Sequence, residues 1–180
     1  MTWIELAERA IRGEPLEIEE ALAVLEAPDG EVLEILDAAY RVRRHHYGNE
    51  VRLNYLINAK SGHCAEDCSY CSQAKGSGAE IEKYPLLTRE EIRSRAGRGV
   101  DLGASTCCIV LSGRGPTQKD LEGVAAAVRD VKSRHPGLRI CACLGMLTEE
   151  EGRLLAEAGV DRYNHNLNTA ESHHDEIVTT

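Results

Sequence analysis

Three cysteines lie within eight residues of one another, Cys64, Cys68 and Cys71, in a CxxxCxxC pattern. Thiolates this close in sequence can converge on one inorganic centre. A structural zinc ion usually takes four protein ligands, and His63 is the sole nearby candidate for a fourth. An ordinary 4Fe–4S cluster also takes four cysteines. The triplet therefore predicts a 4Fe–4S cluster with one iron left open.

An open iron is the position that S-adenosylmethionine requires, because its amino and carboxylate groups can chelate that iron. An electron from the reduced cluster can then cleave the sulfonium carbon–sulfur bond and give a 5′-deoxyadenosyl radical, which removes hydrogen from unactivated carbon. The protein supplies binding and position in such chemistry. A structural metal loop, or three unrelated cysteines, is the alternative interpretation. Glu66 and Asp67 inside the motif are expected to cap a short helix rather than to act in catalysis.

The elements that would position this motif follow from apolar periodicity. Helical spacing predicts three N-terminal helices, and from residue 51 short apolar runs alternate with helical stretches, as is typical of βαβ units. The predicted helices are 3–12, 17–27, 30–47, 88–99, 117–134 and 148–158, and the predicted strands are 53–57, 106–111, 140–144 and 162–167. Thr88 and Thr148, each followed three residues later by glutamate, mark helix starts. Gly137 and Gly159 are predicted to end helices.

We therefore predict an α/β fold, in which residues 51–180 form about four strand–helix units of a partial (β/α)8 TIM-type barrel. Residues 1–50 form a helical segment before it. A closed barrel takes about 250 residues, so the expectation is either an open sheet or an incomplete chain. The cysteine triplet directly follows the first barrel strand, at the end where barrel enzymes have their active sites.

Composition excludes several classes of function. A formal net charge of −9 would repel a phosphate backbone, so we expect no nucleic-acid partner. The sequence has no run of 18 apolar residues. Glu5 and Glu8 lie where a signal peptide would need a basic start and an uninterrupted apolar stretch. We therefore expect a cytoplasmic protein without a membrane partner. Seven cysteines, an odd number, indicate a metal or redox role rather than a disulfide framework.

The surroundings of the triplet resemble the biotin synthase family of radical S-adenosylmethionine enzymes. The similar motifs are NAKSGHC at 58–64, CSQ at 71–73, CIV at 108–110, SGRGP at 112–116, CACLG at 141–145 and YNHNLNT at 163–169. Many radical enzymes share CxxxCxxC, so it is the later motifs that distinguish this family. Together the motifs cover most of residues 51–180, and the N-terminal helices match only in general character.

The resemblance implies a second cluster, a 2Fe–2S centre in the barrel that donates the sulfur inserted into dethiobiotin. Its ligands in the family are three strand cysteines and an arginine, and by motif Cys108 and Cys141 match two of them. Cys107 and Cys143 do not match ligand positions and are expected to be small buried apolar side chains. Family members carry the other two ligands in four further strand–helix units. We therefore expect this chain to be incomplete and inactive alone.

An amide row and one aromatic residue complete the candidate site. Asn164, Asn166 and Asn168 alternate along the predicted fourth strand, so we expect all three on one face. Barrel interiors are normally apolar, so the row implies a polar ligand or a polar network. The resemblance assigns Asn166 and Asn168, the latter aspartate in many relatives, to the ribose of S-adenosylmethionine or to substrate. Tyr70 resembles the aromatic residue that borders the adenine, with simple packing as the alternative.

The function that the resemblance implies is the conversion of dethiobiotin to biotin, by two radical hydrogen abstractions and sulfur insertion. It also implies flavodoxin or a similar electron donor, and a homodimer for the full-length protein. One alternative is another radical S-adenosylmethionine enzyme, such as a lipoyl synthase. Lipoyl synthases use a further cysteine triplet near the N-terminus, whereas this chain has no cysteine before Cys64. The other alternative is a non-catalytic iron–sulfur or zinc module.

Overall fold

A computed structural model describes residues 2–62 and 64–180 of the chain. His63, the candidate fourth ligand, lies outside the described residues. The chain divides into two compact units, Met1–Val51 and Arg52–Thr180. Among the described residues, no helix combines the length and the apolar character needed to cross a bilayer.

The first unit is helical, as predicted. It contains α1 (Trp3–Ile11), α2 (Ile18–Leu25) and α3 (Val32–Tyr47), with a short 3-10 turn just before α3. Helix α1 begins with a reciprocal cap, because the Thr2 hydroxyl accepts the Glu5 N–H while the Glu5 carboxylate accepts the Thr2 N–H.

The second unit alternates strands and helices. In chain order its elements are β1 (Asn54–Lys60), α4 (Arg89–Asp101), β2 (Thr106–Leu111), α5 (Gln118–Arg134), β3 (Arg139–Cys143), α6 (Glu149–Ala158), β4 (Arg162–Tyr163) and α7 (His174–Ile177). The four strands form one parallel sheet in the order β1-β2-β3-β4. This confirms the prediction of an α/β fold with four strand–helix units of a barrel.

The ends of the helices follow the local signals with one exception. Thr88, Thr117 and Thr148 each cap a helix N-terminus through a reciprocal box with the acidic residue three positions later. Gly159 ends α6 with a φ of +103°, as predicted. The prediction for Gly137 is wrong, because α5 ends at Arg134 and its C-cap is His135, whose N–H donates to the Val131 carbonyl at 2.8 Å.

The two faces of the sheet have opposite environments. One face is fully buried against the helices and belongs to the core of the unit. It carries Ile57, Ala59, Cys107, Ile109, Ile140 and Ala142, each no more than 1% exposed. Because side chains alternate along a strand, the intervening residues lie on the other face. That face is only partly buried and carries Leu56, Asn58, Cys108, Val110, Cys141 and Cys143.

The fourth strand is shorter than predicted. Only Arg162 and Tyr163 pair with β3, and the Asn164 N–H makes one further bond to the Ala142 carbonyl at 2.8 Å. Beyond this point the backbone leaves the sheet, and Asn168 adopts a φ of +70°, a conformation that asparagine tolerates better than most residues. The predicted alternation of three asparagines along a strand is therefore wrong.

The loops after β2 and β3 meet through their backbones. The Met146 N–H donates to the Arg114 carbonyl at 2.7 Å. A Cβ atom added at Gly145 would overlap that same carbonyl group, and Gly145 has a φ of +91°. A side chain there would break both the contact and the backbone geometry, so these two loops require glycine at this position.

We predict that Gly145→Ala lowers the free energy of unfolding by about 2 kcal/mol or more, because it combines a left-handed backbone with a steric clash. Denaturant unfolding followed by circular dichroism measures the change. Gly152→Ala is the matched control. Gly152 lies in α6 with open space around its Cα, so alanine should leave stability unchanged or raise it by up to about 1 kcal/mol. Equal stabilities for the two variants would contradict the prediction.

Candidate functional site

The three cysteines of the triplet lie in the loop between β1 and α4. Short backbone bonds shape this loop, including a turn in which the Cys71 N–H donates to the Cys68 carbonyl at 3.0 Å. The Gly62 N–H donates to the Gln73 Oε1 atom at 2.9 Å and ties its start to its second half. Cys64, Cys68 and Cys71 are all half-buried. Their side chains line one cleft of about 410 Å³.

The cleft lies at the carboxyl ends of the strands. Besides the cysteine loop, segments that follow β2, β3 and β4 line it, including Gly113 and Arg114, Gly145 and Met146, and Asn166 and Asn168. In a parallel sheet these ends meet at one edge, which is where ligands of barrel enzymes bind. Three other segments of the second unit therefore converge on the loop that carries the three thiols.

The charge of the Cys68 thiol depends on what occupies the cleft. Burial raises the pKa of the Cys68 thiol, and charges on Cys71 and Cys64 raise it further, while a hydrogen bond with Tyr70 lowers it. A metal centre reverses this situation, since it binds the deprotonated thiolates and neutralises their mutual repulsion. The donor set therefore fits an iron–sulfur cluster.

The placement of the thiols also bears on the kind of metal centre. Across residues 2–62 and 64–180, no three His, Cys, Asp or Glu side chains stand close enough together to hold a single metal ion. A 4Fe–4S cluster is wider than one ion and distributes its cysteines over separate irons. Ligands for such a cluster therefore need not converge on one point.

Tyr70 and Asn168 meet beside the thiols. Burial raises the pKa of the Tyr70 hydroxyl, the neighbouring Cys68 raises it further, and a hydrogen bond with Asn168 lowers it. Most of the Tyr70 side chain nevertheless remains accessible, with 59% of the residue exposed. The ring is thus largely open at the cleft, which suits stacking against a planar group.

The asparagines come together without a strand to align them. The Asn164 amide Nδ2 donates to the Asn166 Oδ1 at 3.2 Å and lies 4.0 Å from the Cys143 sulfur. Asn166 and Asn168 line the cleft beside the cysteine loop. Two of the three asparagines thus reach the cleft, and a loop rather than an extended strand places them there.

A second pair of thiols lies on the partly buried face of the sheet. Cys108 of β2 and Cys141 of β3 are direct register partners. Burial, followed by the charge of Cys108 and a hydrogen bond with it, raises the pKa of the Cys141 thiol to about 11. Strand pairing holds these two thiols side by side, so they could supply two of the ligands of a metal site.

The two remaining cysteines differ from each other. Cys107 is fully buried in the core, as expected, and burial raises the pKa of its thiol to about 12. Cys143 was expected to be buried in the same way, but it is half-buried and lines the cleft. It lies two residues after Cys141, so the strand places both on the same face.

Glu66 and Asp67 have a role that the sequence did not indicate. The expected short helix is absent from residues 64–70. Instead, the Asp67 carboxylate accepts the Thr179 N–H at 2.9 Å, and Glu66 lies 3.5 Å from the Arg114 guanidinium. No local pattern could predict the first contact, because the partners are 112 residues apart.

Comparisons with known proteins agree with this geometry. Residues 59–180, more than half of the chain, match the Radical SAM superfamily. The whole chain is 52% identical to a biotin synthase of Lysinibacillus sphaericus and 49% identical to one of Halalkalibacterium halodurans. It covers 54% of the length of each, so the chain spans about half of these curated relatives.

Solved structures show the same fold. The crystal structure of methylornithine synthase matches with a TM-score of 0.79 and 26% identity, over 96% of this chain and 50% of that one. HydG, a maturase of the FeFe-hydrogenase, matches with a TM-score of 0.72 and 17% identity, over 99% of this chain and 39% of that one. Both matches cover nearly all of this chain.

The superfamily match begins at Ala59, at the end of β1, and includes the whole cysteine loop and the cleft. Membership in this superfamily implies a 4Fe–4S cluster and S-adenosylmethionine. With three thiols at the carboxyl end of the first barrel strand, the chain belongs to the radical SAM superfamily.

Proposed function

We propose that this chain forms part of a biotin synthase, an enzyme that converts dethiobiotin to biotin in the final step of biotin biosynthesis. One observation carries the proposal. The triplet thiols line a cleft, and a second thiol pair, Cys108 and Cys141, stands on the partly buried face of the same sheet. A radical enzyme that inserts sulfur needs both a cluster to cleave S-adenosylmethionine and a second site that supplies sulfur. Identity of 52% to a biotin synthase supports the same assignment.

In this proposal Cys64, Cys68 and Cys71 hold the 4Fe–4S cluster. With S-adenosylmethionine bound, that cluster supplies the radical chemistry that removes hydrogen from unactivated carbon. The protein contributes position, since the cleft brings Tyr70 and the asparagine loop next to the thiols. We assign Tyr70 to the adenine, and Asn166 and Asn168 to the ribose or to substrate.

Cys108 and Cys141 are assigned to the 2Fe–2S cluster. Strand pairing fixes the distance between their backbones, and alternation places both side chains on the partly buried face. The remaining two ligands of the family, a cysteine and an arginine, have no counterpart among the motifs matched in these 180 residues. Residues 51–180 thus carry all the assigned ligands, after a helical segment of residues 1–50.

The partners of the proposed reaction follow from the same assignment. The substrate is dethiobiotin, and flavodoxin or a similar protein donates electrons. The full-length protein is a cytoplasmic homodimer in this proposal. The strongly acidic balance, with a net charge of −9, argues against a nucleic-acid partner.

We predict that anaerobic reconstitution loads one 4Fe–4S cluster, and that alanine at Cys64, Cys68 or Cys71 abolishes it, because each thiolate holds a different iron. Iron and sulfide analysis with electron paramagnetic resonance of the reduced protein measures the outcome. Cys143→Ala is the control, since it removes a thiol from the same cleft and should leave the cluster intact. Zinc without sulfide in the loaded protein would support a zinc module and contradict the proposal.

Tyr70 should act through its ring. We predict that Tyr70→Ala raises, by about tenfold, the concentration of S-adenosylmethionine that is needed to perturb the spectrum of the reduced cluster. This increase corresponds to the loss of one aromatic stacking contact. Tyr70→Phe keeps the ring and should stay within about twofold of the parent chain. Equal losses in the two variants would show that the hydroxyl, and not the stacking surface, matters.

The 180-residue chain alone should bind no stable 2Fe–2S cluster, because two thiolates on separate strands leave at least one iron poorly ligated. We predict slow cleavage of S-adenosylmethionine but no biotin, assayed with dethiobiotin and with dithionite or flavodoxin as electron source. The 4Fe–4S signal of the same sample shows that the chain was properly loaded. Biotin formation by this chain alone would contradict the assigned ligand count.

A further inference from the structure

The cysteine loop is fastened to the last residues of the chain. The Ser69 N–H donates to the Ile177 carbonyl at 3.0 Å, and the Asp67 N–H donates to the Thr180 hydroxyl at 3.2 Å. In return, the Asp67 carboxylate accepts the Thr179 N–H at 2.9 Å and the Thr179 hydroxyl. We call residues 66–69 and 177–180, with these bonds, the clasp.

Glu66 extends the clasp to a third segment. Its carboxylate accepts the Thr180 hydroxyl at 3.0 Å and lies 3.5 Å from the guanidinium of Arg114, in the loop after β2. Val178, directly before the two bonded threonines, is buried with 6% exposure. The clasp therefore combines charged hydrogen bonds with one buried apolar anchor.

The bonds to Asp67 are made to a carboxylate. Because a carboxylate accepts the Thr179 N–H as a charged group, this bond is stronger than one between neutral groups.

The loop needs such a support because it has little structure of its own. Residues 64–68 lie outside any helix or strand, yet they supply two of the three thiols of the triplet. Ordering a free loop around a metal centre costs conformational entropy at the moment of binding. A loop that is already held in place avoids that cost and retains the metal centre more tightly.

We propose that Asp67 and Glu66 are positioning residues, which hold the cysteine loop in one conformation through the clasp before any cluster binds. Asp67 is suited to this role because it stands between Cys64 and Cys68 in sequence and bonds to Thr179. Its effect on the thiols is thus exerted through the backbone of the loop. The consequence for cluster retention rests on the proposed cluster site, whereas the order of the metal-free loop does not.

Hydrogen–deuterium exchange of the metal-free chain tests the proposal directly. Asp67→Ala should speed exchange of the amides at 66–71 by about tenfold or more, since it removes charged hydrogen bonds. Exchange in β2 and the midpoint of thermal unfolding should stay unchanged. Asp67→Asn keeps an acceptor for the Thr179 N–H and should restore part of the protection. Asp101→Ala, at the exposed end of α4, should behave as the parent chain.

The loaded protein gives a second readout. After anaerobic reconstitution, Asp67→Ala should take up as much iron as the parent chain but lose it to a chelator about tenfold faster. Parent-like exchange of the 66–71 amides in Asp67→Ala would overturn the proposal, and so would faster exchange combined with an unchanged rate of cluster loss. A parent chain that takes up no cluster would overturn the proposed function instead, and the exchange result would still decide whether the clasp orders the loop.

Discussion

Parallel pairing of the strands is the constraint on which the rest of this structure depends. Because β1, β2 and β3 run in one direction and in register, the loops that follow them emerge at a single edge of the sheet. The cysteine loop, the glycine-rich loop after β2 and the Gly145 loop after β3 therefore become neighbours. Their backbones contact directly at Arg114 and Gly145, where a side chain has no room. The cleft exists because these loops share one edge.

The alternation of side chains along a strand divides the cysteines by chemistry. Cys107 and Cys108 are adjacent in sequence, yet one lies in the core and the other stands on the partly buried face of the sheet. Burial holds the pKa of Cys107 near 12 and keeps its thiol protonated. Cys108 instead is the direct register partner of Cys141 on the neighbouring strand. A shift of one residue in β2 would exchange these two roles and destroy both the core and the proposed metal site.

The cysteine loop brings three thiols together, and these carry negative charge when they are deprotonated. Burial, and to a smaller extent the charges of Cys71 and Cys64, raise the pKa of the Cys68 thiol and so disfavour its thiolate without a metal. In the structure the loop is nonetheless kept at the cleft by contacts outside the thiols, through Glu66 and Asp67. The cysteine loop is therefore held by remote residues and, in the proposed cluster site, also by the metal centre that its thiols bind.

Local patterns in the sequence were enough to predict the helices, the strand–helix alternation and the spacing of the triplet, because capping boxes and apolar periodicity act over a few residues. The same patterns failed where distant segments decide the conformation. The predicted strand over 162–167 ends at Tyr163, and after one further bond from the Asn164 N–H to β3 the backbone leaves the sheet. Cys143 reaches the cleft, and Asp67 binds Thr179 rather than capping a helix. Such contacts join residues far apart in sequence, so only the assembled sheet and its loops could determine them.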